Sequence, residues 1–169
     1  MKSLHPLIVH FPIALLITSV LFAVLAVLIK NKRELFKDIL LGNLVLGTIG
    51  AAAAIISGIF AEESLAHNNR IHEIMEVHET LGYILTSIFT AISIWLILRR
   101  YKIQIKELII MTSFLIIASG LLAYTAHLGG KMVYEEGAGV IPMEKIINNQ
   151  THEHNHAESG EDSHTEHAH

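Results

Sequence analysis

Residues 4–13 read Leu-His-Pro-Leu-Ile-Val-His-Phe-Pro-Ile. Two histidines and two prolines stand at the mouth of a long apolar run. His78 and His127 occupy the matching depth of later apolar runs. An ionisable side chain is costly inside a bilayer, so imidazoles placed there mark a functional site. The chemistry they offer is nitrogen ligation of a transition metal or of haem iron. The chain has no cysteine, which excludes disulfides, iron–sulfur ligation and thiolate metal sites. None of the 12 histidines falls in a basic link or in the half-span next to one. Random scatter does not give that segregation.

Four apolar runs position these residues. The 169-residue chain is 51% hydrophobic and 17% charged, with nearly all the charges outside the runs. This is a membrane composition, with one domain as the expectation for the length. Lys30, Lys32, Arg33 and Lys37 fall between the first and second runs. Arg99, Arg100, Lys102 and Lys106 fall between the third and fourth. The positive-inside rule makes both links cytoplasmic and both termini external. The N-terminal run is too long for a signal-peptide core, so it reads as an uncleaved span. No basic stripe points to nucleic acid.

The expected fold is all-α, a four-transmembrane-helix up-down-up-down bundle over 1–142. Its spans lie at about 6–29, 38–60, 77–98 and 108–128, each able to cross a ~30 Å hydrocarbon core. Pro6 suits the first helical turn and puts His5 at the cap. Pro12 removes a hydrogen bond beside His10. In span 2, Gly47, Gly50, Ala54 and Gly58 form one small-residue stripe, either for tight helix packing or to clear a flat cofactor. Glu62 continues that stripe. Residues 71–78 read as an extension of span 3 above the membrane, with His67 and His72 solvated. Gly82 shares a face with His78, and Gly120 with His127. Gly129-Gly130 reads as a helix stop, and 131–142 as a loop or lid folded back on the external face. Residues 143–169 have a disordered, acidic and His-rich composition. No tandem repeat is evident; the two halves are alike only as helical hairpins.

Because odd and even spans run oppositely, His10, His78 and His127 fall in one layer near the external face, with His5 and Glu62 at or just above it. Two chemistries fit. In such a bundle spans 1 and 3 are diagonal, so His10 and His78 are an axial pair for a b-type haem. His127 and His5 are substitutes, and Gly58, Gly82 and Gly120 leave room for the porphyrin. Lys131 or Arg70 would meet the propionates. Alternatively His5, His10, His78, His127 and Glu62 hold a bare copper, zinc or nickel ion. His5 and His10 lie about 140° apart around a helix, so they share an ion only if His5 leaves it. A third reading is a structural subunit with no cofactor. There is no His-Glu-x-x-His, Gly-x-Ser-x-Gly or phosphate loop, so a redox carrier or accessory subunit is expected over a stand-alone enzyme.

The start His5-Pro6-Leu7-Ile8-Val9-His10-Phe11-Pro12-Ile13 resembles the signature of the predicted bacterial membrane proteins known as DUF2231. So do His78 before Leu81-Gly82 and the string Gly129-Gly130-Lys131-Met132-Val133-Tyr134-Glu135-Glu136-Gly137-Ala138-Gly139-Val140. The resemblance covers about residues 4–141; Lys131 and the His-rich tail depart from the pattern. It implies a four-span protein of the bacterial cytoplasmic membrane, without established activity. Relatives fused to Rieske or cytochrome-type domains imply electron transfer; a site near one face alone would then exchange electrons with an external partner. A metal-delivering partner, a homo-oligomer and a subunit of a larger complex are the other associations the sequence allows.

Overall fold

The computed structural model describes residues 5–62, 69–99 and 102–138. Four helices follow one another: α1 (His5–Leu28), α2 (Arg33–Glu62), α3 (Asn69–Arg99) and α4 (Ile105–Tyr134). A single 3-10 turn, Lys30–Lys32, joins the first two. All four helices are long and apolar enough to cross a membrane. α1 packs on α2, α2 on α3, α3 on α4, and α4 back on α1. The helices therefore stand at the corners of a square, with α1 and α3 on one diagonal. This is the up-down-up-down bundle expected from the four runs.

The first helix is inside-out in its choice of apolar residues. α1 buries Pro12, Leu16, Ser19, Ala23 and Ala26, mostly small. Its large side chains Leu7, Phe11, Ile17, Leu21 and Leu28 point outward. Lipid tails are as apolar as leucine, so nothing drives large residues inward; close backbone approach decides which face is buried. The stripe on α2 serves that approach. A Cβ on Gly47 would lie 2.8 Å from Leu16 Cδ2, and one on Gly50 would lie 3.1 Å from Pro12 Cβ. The stripe thus packs against α1; at these positions it clears space for a helix and not for a flat cofactor. The buried hydroxyls of Ser19 and Thr112 are satisfied locally, donating to the Leu16 and Leu108 carbonyls. Thr48 and Ser93 join α2 to α3 at 3.1 Å.

At the end with the short links, side chains close the helix termini. Arg33 Nε donates to the Ala26 carbonyl at 2.9 Å and Nη2 to that of Val27 at 3.4 Å, satisfying carbonyls that a helix end leaves open. Buried Lys37 pairs with Glu34 at 2.8 Å. Glu107 completes a capping box with Gln104 and pairs with Arg99.

The opposite end differs from the sequence reading in one place. Gly129-Gly130 does not stop α4, which runs on to Tyr134. The stop is Gly137, whose φ of 71° lets the Ala138 N–H turn back to the Met132 carbonyl at 2.9 Å. Residues 131–134 are therefore helix, and the folded-back segment begins at Glu135. Residues 139–142 of the expected lid, His67, and the tail 143–169 lie outside the described residues. The extension of α3 down to Asn69 agrees with the helix expected over 71–78.

Gly47→Val should lower thermal stability in detergent by about 1–3 kcal/mol, the usual cost of overpacking. Gly42, with nothing within 4 Å of an added Cβ, should accept alanine with a change under about 0.5 kcal/mol. Equal losses at the two positions would contradict the packing described.

Candidate functional site

Histidine begins α1 and recurs two turns into α3, and the square arrangement sets these helices across one diagonal. His5 and His78 are both part-buried and lie within electrostatic reach of each other. Each ring rests on a glycine of the next helix in the chain. A Cβ on Gly58 would lie 3.2 Å from His5 Cε1, and a Cβ on Gly129 would lie 3.2 Å from His78 Cε1. A Cβ at either place would force the ring to give by a few tenths of an ångström.

The rings are also held by hydrogen bonds that fix their tautomers. His78 Nδ1 lies 2.9 Å from the Thr125 carbonyl. A carbonyl only accepts, so Nδ1 carries the proton. His5 Nδ1 lies 2.9 Å from Ser57 Oγ. The Ser57 hydroxyl already donates to the Ala54 carbonyl at 2.9 Å, so here too Nδ1–H donates and Ser57 Oγ accepts. The His5 ring also reaches the Ala54 carbonyl itself. Both imidazoles therefore keep a lone pair on Nε2, the arrangement of a metal-ligating histidine whose other nitrogen is held by an outer partner.

The other expected residues are placed elsewhere. His10 is exposed, and its Nδ1–H turns back to the Pro6 carbonyl of its own helix. His127 is exposed on α4. Gly82 and Gly120 have nothing within 4 Å of an added Cβ, so neither seats a histidine. Gly58 does, but its clearance is filled by the His5 ring. Glu62, half-buried at the end of α2, lies within electrostatic reach of Tyr83, whose hydroxyl donates to Glu79 at 2.9 Å. Among the described residues, no three His, Asp or Glu side chains gather as a metal site. The structure thus brings together His5 and His78; the α1 histidine in reach of His78 is His5 at the helix start.

Sequence reasoning missed Gly129, Ser57 and Thr125. Gly129 was hidden by its double-glycine context, which favours a helix end. Ser57 stands beside Gly58 on α2, so a search for a donor next to the stripe would have found it. Thr125 acts through its backbone carbonyl, for which side-chain identity carries no signal.

Above the pair, Arg70 at the start of α3 meets Glu136 at 2.9 Å. Lys131 lies 3.9 Å from Glu135. Both cations expected to meet a ligand's acidic groups thus face carboxylates of the α4 turn. Ile71, Met75 and Ala138 are buried close by in the chain, so the turn after α4 is anchored by packing as well as charge.

The double-glycine string and the His-Pro start are the sequence features that a family model can test. A model described as predicted membrane protein matches residues 1–142. The chain belongs to DUF2231. Neither the curated proteins nor the solved structures contain a match. The match spans the whole bundle, including the Gly129–Gly137 segment that seats His78 and ends α4.

Arg70→Ala and Glu136→Gln should each speed hydrogen exchange at the Ala138 amide, since both release the turn that holds it. Exchange at Ala138 unchanged in both variants would show that the ion pair does not anchor the turn.

Proposed function

We propose that this protein is a haem b-binding electron carrier of the bacterial cytoplasmic membrane, with His5 and His78 as axial ligands. One observation carries the reading: two imidazoles on diagonal helices, each held at Nδ1 by the neighbouring helix, which points to Nε2 as the nitrogen that would ligate. Porphyrin supplies four nitrogens to its iron, so two protein ligands complete the coordination. A structural zinc site takes four protein ligands, and a catalytic one takes three. The described pair is thus a closer match to haem than to a bare zinc ion.

Bound haem would supply one-electron iron chemistry. The chain's own contribution is orientation. Gly58 and Gly129 set how far each ring stands from its support, and the Ala54, Ser57 and Thr125 oxygens set its rotation and tautomer. If His5 and His78 both held the iron, no iron position would be left open to oxygen, which would favour electron transfer over oxygen activation. Beneath the pair the core is apolar, with Leu16, Phe89, Leu44 and Leu115 all buried, so electrons would enter and leave at the histidine end. That end is assigned to the outside because Lys30, Lys32, Arg33, Lys102 and Lys106 gather at the other. The partner is then an external redox protein.

Protein expressed with ample haem should show a Soret band and a low-spin α band on reduction. His5→Ala and His78→Ala should each abolish the α band, whereas His10→Ala and His127→Ala should keep it. Stoichiometric copper, zinc or nickel without a Soret band, lost in His5→Ala, would replace haem with a bare ion. Neither haem nor metal in the purified protein would leave a structural subunit.

A further inference from the structure

The two hairpins bury most of the same positions. His5, Pro12, Leu16 and Ala23 of α1 match His78, Leu85, Phe89 and Leu96 of α3 at one constant offset. The last three of each set are buried. Lys37, Leu40, Leu44, Gly47 and Ala54 of α2 match Leu108, Met111, Leu115, Ala118 and Thr125 of α4 at a second constant offset. All ten are buried. That second offset also carries Gly58 onto Gly129. It carries the Ala54 carbonyl, which the His5 ring reaches, onto the Thr125 carbonyl that accepts from His78. In a helix each carbonyl is followed four residues later by the residue stacked above it. In both hairpins that residue is the glycine under the ring. The seat is one device used twice: a carbonyl, a glycine one turn on, and an imidazole from the partner helix.

The repeat escapes the sequence because few matched residues are identical. What repeats is burial and the seat. α1 and α3 start at the same end, so the operation relating the hairpins is a rotation about an axis along the bundle, the parallel type of membrane repeat. Ser57 is the main departure at the seat, standing where α4 has Leu128. A second difference explains why α1 lies closer on α2 than α3 on α4: Gly50, against Pro12, corresponds to Leu121, which is exposed.

We propose that the chain is a duplication of one two-helix unit, and that the two imidazole seats are equivalent halves of one ligand site on the axis between them. Such a site suits a metal centre with two opposed, equivalent positions for imidazole nitrogen. That ligand class rests on the haem reading above; the equivalence of the seats does not.

The test uses the full-length protein, histidine-labelled with 15N and purified without haem. Long-range 1H–15N correlation spectra should show His5 and His78 both protonated at Nδ1, with assignments from His5→Ala and His78→Ala. Gly58→Ala should shift only the His5 signals and Gly129→Ala only those of His78, by similar amounts. Gly120→Ala should shift neither. With hemin as the probe, each of the first two glycine substitutions should weaken binding by a similar factor, about 10–100-fold, as for other outer supports of metal ligands. A ring protonated at Nε2, or one glycine silent while the other perturbs its ring, would overturn the proposal. If the glycine variants do not fold, the wild-type tautomers decide. Hemin that fails to bind while both rings show Nδ1–H would remove the haem reading and leave the duplication standing.

Discussion

The molecule depends on how near an imidazole can come to the backbone of a neighbouring helix. In lipid a polar group has no water to turn to, so each ring must find its acceptor within the bundle. The acceptors available are helical carbonyls, and those are shielded by the side chain one turn above. Glycine removes the shield. Gly58 and Gly129 therefore do for the site what Gly47 and Gly50 do for the hairpin: they let another helix touch backbone. Once α1 lies on α2 through Leu16 and Pro12, the height of His5 over Gly58 follows from helix geometry alone.

Much of this was open to a reader of the chain. Four apolar runs, two basic links and the up-down order follow from where Lys and Arg fall. The histidine layer follows from depth. The pairing within that layer did not, because depth is set by sequence position whereas facing is set by rotation. α1 is apolar on every side, so periodicity cannot say that His5 faces the bundle and His10 does not. The small stripe on α2 was legible as a stripe, but its occupant was not. Gly129 was misread because a glycine pair usually ends a helix. In a membrane bundle the same pair can also be the place where something presses close. The true stop, Gly137, is a single glycine with positive φ after two glutamates.

The two ends of the bundle solve different problems. At the basic end the links are short and the polar groups serve the backbone: Arg33 closes α1, and Glu107 caps α4 and holds Arg99. At the histidine end α3 and α4 reach beyond the paired imidazoles, and Arg70 and Glu136 tie them together above. The family match covers both ends, and among the described residues the paired imidazoles stand at the second.

The tight first hairpin has a bearing on biogenesis. α1 and α2 are joined by one turn and locked by Arg33, so they can leave the insertion machinery as a finished unit before α3 has been translated. That unit holds a single imidazole on its seat and lacks the opposing one. A centre that needed both rings would then be loaded only after the second half had inserted, which would make its capture a late step and a checkpoint on complete assembly.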